Sequence, residues 1–257
     1  MNNNLIQIVF VIDKSGSMAW LANETVSGFN SFIEKYKQED TETILTTALF
    51  DDYCFFLHDS MDLKEVLPLT VSTYKGAGMG CTALYDAVGF TIDRVGERLV
   101  GMREEDRPHK VLFVVTTDGF ENASRNYTQS RVKEMIEHQK SKYSWEFIFL
   151  GANIDSEATA DSIGIGASNA VNFSFAPQGV DDVYRSVYTV ASCITKGVDA
   201  SVTMDALKGE DGFIKSASDL TDVSVSSDAS VTSTNVSNYA PWKDDWTQLE
   251  DGRWTLS

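Results

Sequence analysis

Three short segments of this 257-residue chain end apolar runs in side chains able to hold a cation. In the first, Ile8-Val-Phe-Val-Ile12 runs into Asp13-Lys-Ser-Gly-Ser17, which offers a carboxylate at Asp13 and hydroxyls at Ser15 and Ser17. In the second, the glycine-rich stretch KGAGMGC leads to Thr82. In the third, HKVLFVVTTD closes on Asp118, between Thr117 and Gly119. Carboxylates and hydroxyls without histidine or thiolate make a hard-cation donor set, so Mg²⁺, Mn²⁺ and Ca²⁺ all qualify. A small octahedral ion such as Mg²⁺ suits it best, because direct ligands are few and waters complete the shell. Taken alone, Asp13 also reads as a turn former, and Ser15 or Ser17 as a helix N-cap.

What brings these segments together is an alternation of strands and helices. Leu5 to Ile12 reads as a strand, and Val26, Phe29, Ile33 and Tyr36 place one apolar face on the helix after it. ETILTTALF and DYCFFLH are separated by little more than Asp51 and Asp52, a connection that permits only an antiparallel hairpin, expected at a sheet edge. Leu84, Val88, Ile92, Val95 and Leu99 mark a helix, HKVLFVVTTD a buried strand, and Val132, Met135 and Ile136 another helix. WEFIFLG, a short helix over about Ser156 to Ile163, AVNFSF, and a helix carrying Val180, Val183, Val187, Val190 and Ile194 complete the pattern. Pro177 and Gly197 punctuate that last helix. The pattern predicts an α/β fold, with a doubly wound, mostly parallel six-stranded sheet, one antiparallel edge strand and helices on both faces. Such sheets place their sites at the carboxyl ends of strands, where the strand order reverses.

Asp13-x-Ser15-x-Ser17, Thr82 and Thr117-Asp118-Gly119 together resemble the metal-ion-dependent adhesion site (MIDAS) of von Willebrand factor type A (VWA) domains, over about Leu5 to Lys196. GFNSFIEKYK, FDDYC, TDGFENAS and WEFIFLGAN resemble its intracellular bacterial and phage branch. The resemblance implies that Ser15, Ser17 and Thr82 are hydroxyl ligands and that Asp13 and Asp118 bind directly or through water. It further implies that an Asp or Glu of a protein partner completes the shell. Cys81 departs from the family, where methionine or glycine precedes the threonine; it is expected to pack behind the loop. Glu121 reads as a solvated loop acid, Asp51-Asp52 as a hairpin turn, Asp155 as a helix start, and His58, His109 and His138 as structural or surface residues.

A formal charge of −17 argues against nucleic acid as a partner, since phosphate binding needs a basic face. No stretch approaches the roughly 18 apolar residues of a membrane span. The start of the chain does not read as a signal peptide, and Cys54, Cys81 and Cys193 form no pairing pattern. The expected location is cytoplasmic, or the virion if the gene is a phage's. A metal-assisted phosphohydrolase with Asp13 as nucleophile lacks a second aspartate two residues on, a positioned lysine and a general base. No phosphate loop is present either, so a non-enzymatic binding module is the leading reading. The expected boundaries are 1–197 for the domain, 198–240 for a Ser/Thr-rich linker and 241–257 for a docking segment. Half the residues from Ser216 to Ser237 are Ser or Thr, whereas Trp242, Trp246 and Trp254 crowd the end, with Asp251-Gly252 placed as a hairpin turn. The alternative function is an assembly component, of a phage or a multisubunit complex, that self-associates through this tail.

Overall fold

The computed structural model describes residues 1–75 and 80–215 together with the strands 246–248 and 254–256. Six strands form the main sheet: β1 (Asn2–Asp13), β2 (Glu42–Phe50), β3 (Cys54–Asp62), β4 (Pro108–Thr117), β5 (Glu146–Gly151) and β6 (Ala170–Asn172). Their order is β3-β2-β1-β4-β5-β6, with every pairing parallel except β2 with the edge strand β3. The chain therefore builds outward from β1 to β3, then restarts at β4 on the other side of β1. That reversal leaves a crevice between the carboxyl ends of β1 and β4, where a doubly wound sheet binds its ligands.

Side-chain alternation along the strands divides the core into two layers. Ile6, Ile8, Phe10 and Ile12 of β1 join Leu112 and Val114 of β4 on one face, under α1 (Ala22–Tyr36) and α6 (Pro177–Ile194). Phe10 anchors this layer by edge-on contacts with Phe29 and Phe32, at centroid distances of 5.5 and 5.1 Å. Val9 and Val11 join Phe113 and Val115 on the other face, under α3 (Leu84–Gly101), α4 (Gln129–Tyr143) and α5 (Ser156–Ser162). Strands buried on both faces read as continuous apolar runs, which is why β1 and β4 are so plain in the sequence.

Two short helices were not foreseen. One, α2 (Val71–Lys75), lies ahead of the Thr82 loop. The other, α7 (Ala200–Leu207), packs on α6 and buries Ala200, Met204 and Leu207 in the same layer as Phe10. Ile214 joins that layer as well, and Phe213 bridges to Asn172 at the end of β6. The packed body thus runs to about residue 215, beyond the expected linker start at 198. Gly197, at φ 83°, stops α6 and starts a turn that brings the chain back onto the body.

At the end of the chain, β7 (Trp246–Gln248) pairs antiparallel with β8 (Trp254–Leu256), Trp246 opposite Leu256 and Gln248 opposite Trp254. Trp242 lies outside the described residues. Among the described residues no helix is long and apolar enough to cross a membrane.

Candidate metal centre

The register of β1 against β4 sets Ile12 opposite Thr116, so the next residues, Asp13 and Thr117, stand side by side. Asp13 is fully buried. Its Oδ2 accepts the Thr117 hydroxyl at 2.6 Å and its Oδ1 accepts the Ser15 N–H at 2.7 Å. Ser15 and Ser17 hydroxyls lie 3.2 Å apart, and Ser17 Oγ donates to Asp118 Oδ1 at 2.7 Å. A Cβ placed on Gly119 would stand 3.1 Å from Thr82 Oγ1, so that hydroxyl borders the Asp118 loop. All five residues singled out in the sequence therefore meet at the crevice. The capping alternative for the serines does not hold: the 3₁₀ turn Ser17–Leu21 begins at Gly16 with no side-chain cap.

The electrostatics ask for a cation. Burial pushes the Asp13 carboxyl up to about 6, against hydrogen bonds from Thr117 and Ser15, and the Asp118 charge adds to the rise. Burial also raises Asp118, against its bond from Ser17. Asp118 Oδ2 is buried without a hydrogen-bond partner among the described residues. Two sequestered acids and an orphaned oxygen are costly as they stand, and a divalent ion among them reverses each cost. The residues present therefore fit such an ion. Among the described residues no three His, Cys, Asp or Glu side chains converge, so the donor set is two carboxylates and three hydroxyls.

Several supporting residues escaped the sequence reading. Tyr74, on α2, donates its phenol to the Asp13 carbonyl at 2.6 Å and fixes the strand end from below. Asn122 accepts the Thr82 N–H at 2.8 Å and donates its own N–H to the Thr82 carbonyl at 3.0 Å, which clamps the second loop to the third. Lys14 forms an ion pair with Asp51, whose carbonyl accepts the Ala83 N–H at 2.9 Å. Asp51 is thus a buried tie between loops as well as a turn residue. Cys81 is exposed, contrary to the expected packing behind the loop, because Thr82 takes the inward position. His58, buried on Thr47 and stacked on Phe29, is structural, and Asp155 caps α5 through the Ala158 N–H.

Glu121 is a bracket rather than a solvated acid. Its carboxylate accepts the N–H groups of Tyr85, Ala123 and Ser124 and the Ser124 hydroxyl, at 2.7 to 2.9 Å. Asp86 does the same one turn into α3, accepting from the backbone of Arg125, Asn126 and Tyr127 and from Asn126 Nδ2. Burial works against the Asp86 anion, but these bonds outweigh it and hold the carboxyl below its usual range. Asp86→Ala should lower stability by about 3 kcal/mol, since charged hydrogen bonds are lost and their donors stranded. Urea unfolding at neutral pH measures this; a change under about 0.5 kcal/mol, the size of an ordinary surface substitution, would contradict the bracket.

No family model matches the chain, and no curated protein matches it in sequence. Solved structures do. Proximal thread matrix protein 1 from the mussel byssus is similar with a TM-score of 0.50 and 15% identity, over 73% of this chain and 46% of that one. A structure of the same mussel protein with a zinc-occupied MIDAS motif gives 0.49 and 14%, over 72% and 45%. A von Willebrand factor type A structure from Catenulispora acidiphila gives 0.45 and 12%, over 71% and 41%. The chain spans less than half the length of each, and at these identities the likeness is one of fold.

Proposed function

We propose that this chain, which has the von Willebrand factor type A fold, is a protein-binding module whose contact is a divalent cation, Mg²⁺ by preference. The observation that carries this reading is the hydrogen-bonded set Asp13, Ser15, Ser17 and Asp118, with one buried carboxylate oxygen left unpartnered among the described residues. Ser15, Ser17 and Thr82 would hold the ion with neutral oxygens, and Asp13 and Asp118 with charged ones. A bound cation supplies a positive centre that these ligands leave partly unneutralised, and so attracts a carboxylate from outside. The chain does the rest. Thr117 and the Ser15 N–H orient Asp13, Tyr74 fixes its carbonyl, and Asn122 holds the Thr82 loop against the Asp118 loop. With −17 on the chain, the surface around the partner's Asp or Glu should be neutral or basic. No bond is made or broken in this reading.

Capture of a partner from extract of the source cells tests it. Binding should occur with Mg²⁺ and be lost both in excess EDTA and with Asp13→Ala. A partner retained equally under all three conditions would sink the proposal.

Self-association through residues 241–257 is a separate proposal, motivated by Trp242, Trp246 and Trp254 following a Ser/Thr-rich stretch; docking of that segment on its own domain is the opposing outcome. Truncation should be made after Lys215 rather than after Gly197, because α7 and Ile214 belong to the core. Loss of a dimer or larger species in light scattering is expected; a mass unchanged by truncation would refute it.

A further inference from the structure

A metal–carboxylate contact accepts any Asp or Glu, so selectivity must come from the surface beside it. That surface holds a cleft of about 520 Å³ bounded by Phe120, by Asn153 to Asp155, by Asn172 to Phe175, and by Phe213. Phe120 is two residues beyond Asp118, about 7 Å along the chain, so the cleft and the metal centre share the loop after β4. Phe120 and Phe213 are 62% and 42% exposed, whereas Phe173 at the cleft's floor is buried. The polar groups are largely spoken for: Asp155 caps α5, and Asn172 Oδ1 accepts the Ser156 hydroxyl at 2.6 Å. Among the described residues no Lys or Arg lines the cleft. Trp20, 86% exposed in the turn after β1, and Tyr53, 78% exposed in the β2–β3 hairpin, stand at the same end of the sheet. Exposed aromatics gathered at one end of a fold are what a binding face presents, and such side chains dominate binding energies.

From this we infer the partner's recognition element: an extended segment that gives its carboxylate to the metal and seats an apolar or aromatic side chain in the Phe120–Phe213 cleft. The inference rests on the metal-dependent reading above. An extended chain advances about 3.3–3.6 Å per residue, so the apolar residue lies about two to four positions from the acid. A second acid does not belong in the cleft, where the described residues offer no cation and already include Asp155. The remaining positions of the segment are neutral or basic, to suit a chain of charge −17.

A displayed heptapeptide library with one fixed Glu, selected on the full chain in Mg²⁺, tests this. Enriched peptides should carry Phe, Tyr, Trp, Leu or Met two to four positions from the Glu. Synthetic peptides with that residue should bind at least about tenfold tighter than the same peptides with Gly there. On Phe213→Ser the preference and the tenfold gain should vanish. Phe213 is partly exposed, and thermal unfolding of the variant checks that it is folded. Peptides enriched without an apolar preference, an unchanged preference on Phe213→Ser, or no enrichment while Mg²⁺ binds, would each overturn the inference. An apolar preference that persists in EDTA and is lost with Phe213→Ser would keep the cleft and refute the metal-dependent reading instead.

Discussion

Asp13→Asn is expected to make the metal-free protein more stable and to abolish its response to Mg²⁺. The wild-type carboxylate is buried, and among the described residues no cation offsets its charge. Asparagine keeps both hydrogen-bonding positions: its oxygen can accept the Ser15 N–H, and its amide can donate to Thr117 Oγ1. The Thr117 hydroxyl can then donate to the Gly119 carbonyl, 3.2 Å away. Removing the buried charge should raise unfolding free energy at pH 7 by on the order of 2–3 kcal/mol, the equivalent of the shift from 3.8 to about 6. Loss of an anionic ligand should weaken Mg²⁺ binding by about a hundredfold or more, comparable with removing a charged hydrogen bond. Gain of stability with loss of function is the signature of a residue kept for its ligand. A variant less stable than wild type at pH 7 without metal would show that the ionised carboxylate stabilises the fold, contrary to this account.

The pH dependence follows from the same group. A carboxyl whose folded value is raised is favoured in its neutral form. Its contribution is fully present below the unfolded value, 3.8, and is lost as pH rises through about 6. The difference in stability between Asp13→Asn and wild type, without metal, should therefore be small at pH 4 and grow to its full size by pH 7. Taking the difference cancels other titrating groups such as His58, whose buried ring is held below its ordinary value. Metal binding runs the other way, since the ion must displace the proton: affinity should rise about tenfold between pH 5 and pH 7. Chemical unfolding and Mg²⁺ titration across that range check both slopes. A stability difference that is flat with pH would contradict the raised Asp13.

Much of this was legible in the chain itself. The apolar runs of β1 and β4 are unmistakable because both faces of those strands are buried, and each ends in a polar residue, Asp13 or Thr117, at the crevice. Asp13, Ser15, Ser17, Thr82 and Asp118 could be picked out because the donor types repeat at three strand or loop ends. Tyr74 could not, since five-residue α2 is too short to show helical periodicity. Its only local signal is Thr70, whose hydroxyl caps the turn by accepting the Thr73 N–H. Glu121, Asp86 and Asp51 look like ordinary surface acids in sequence. What gives them work is the set of backbone N–H groups and the lysine that the loops turn toward them, and that convergence is tertiary. The helix α7 was hidden for a related reason: its buried positions cover only eight residues beside a Ser/Thr-rich stretch, and only packing on α6 reveals them.

The most direct test of the central claim is a calorimetric titration of Mg²⁺ into the full chain at pH 7, beside the same titration of Asp13→Asn. The account predicts saturable binding with one ion per chain, a rise in thermal unfolding temperature on saturation, and neither effect in the variant. Absence of binding to the wild type, or equal binding to both proteins, would contradict it.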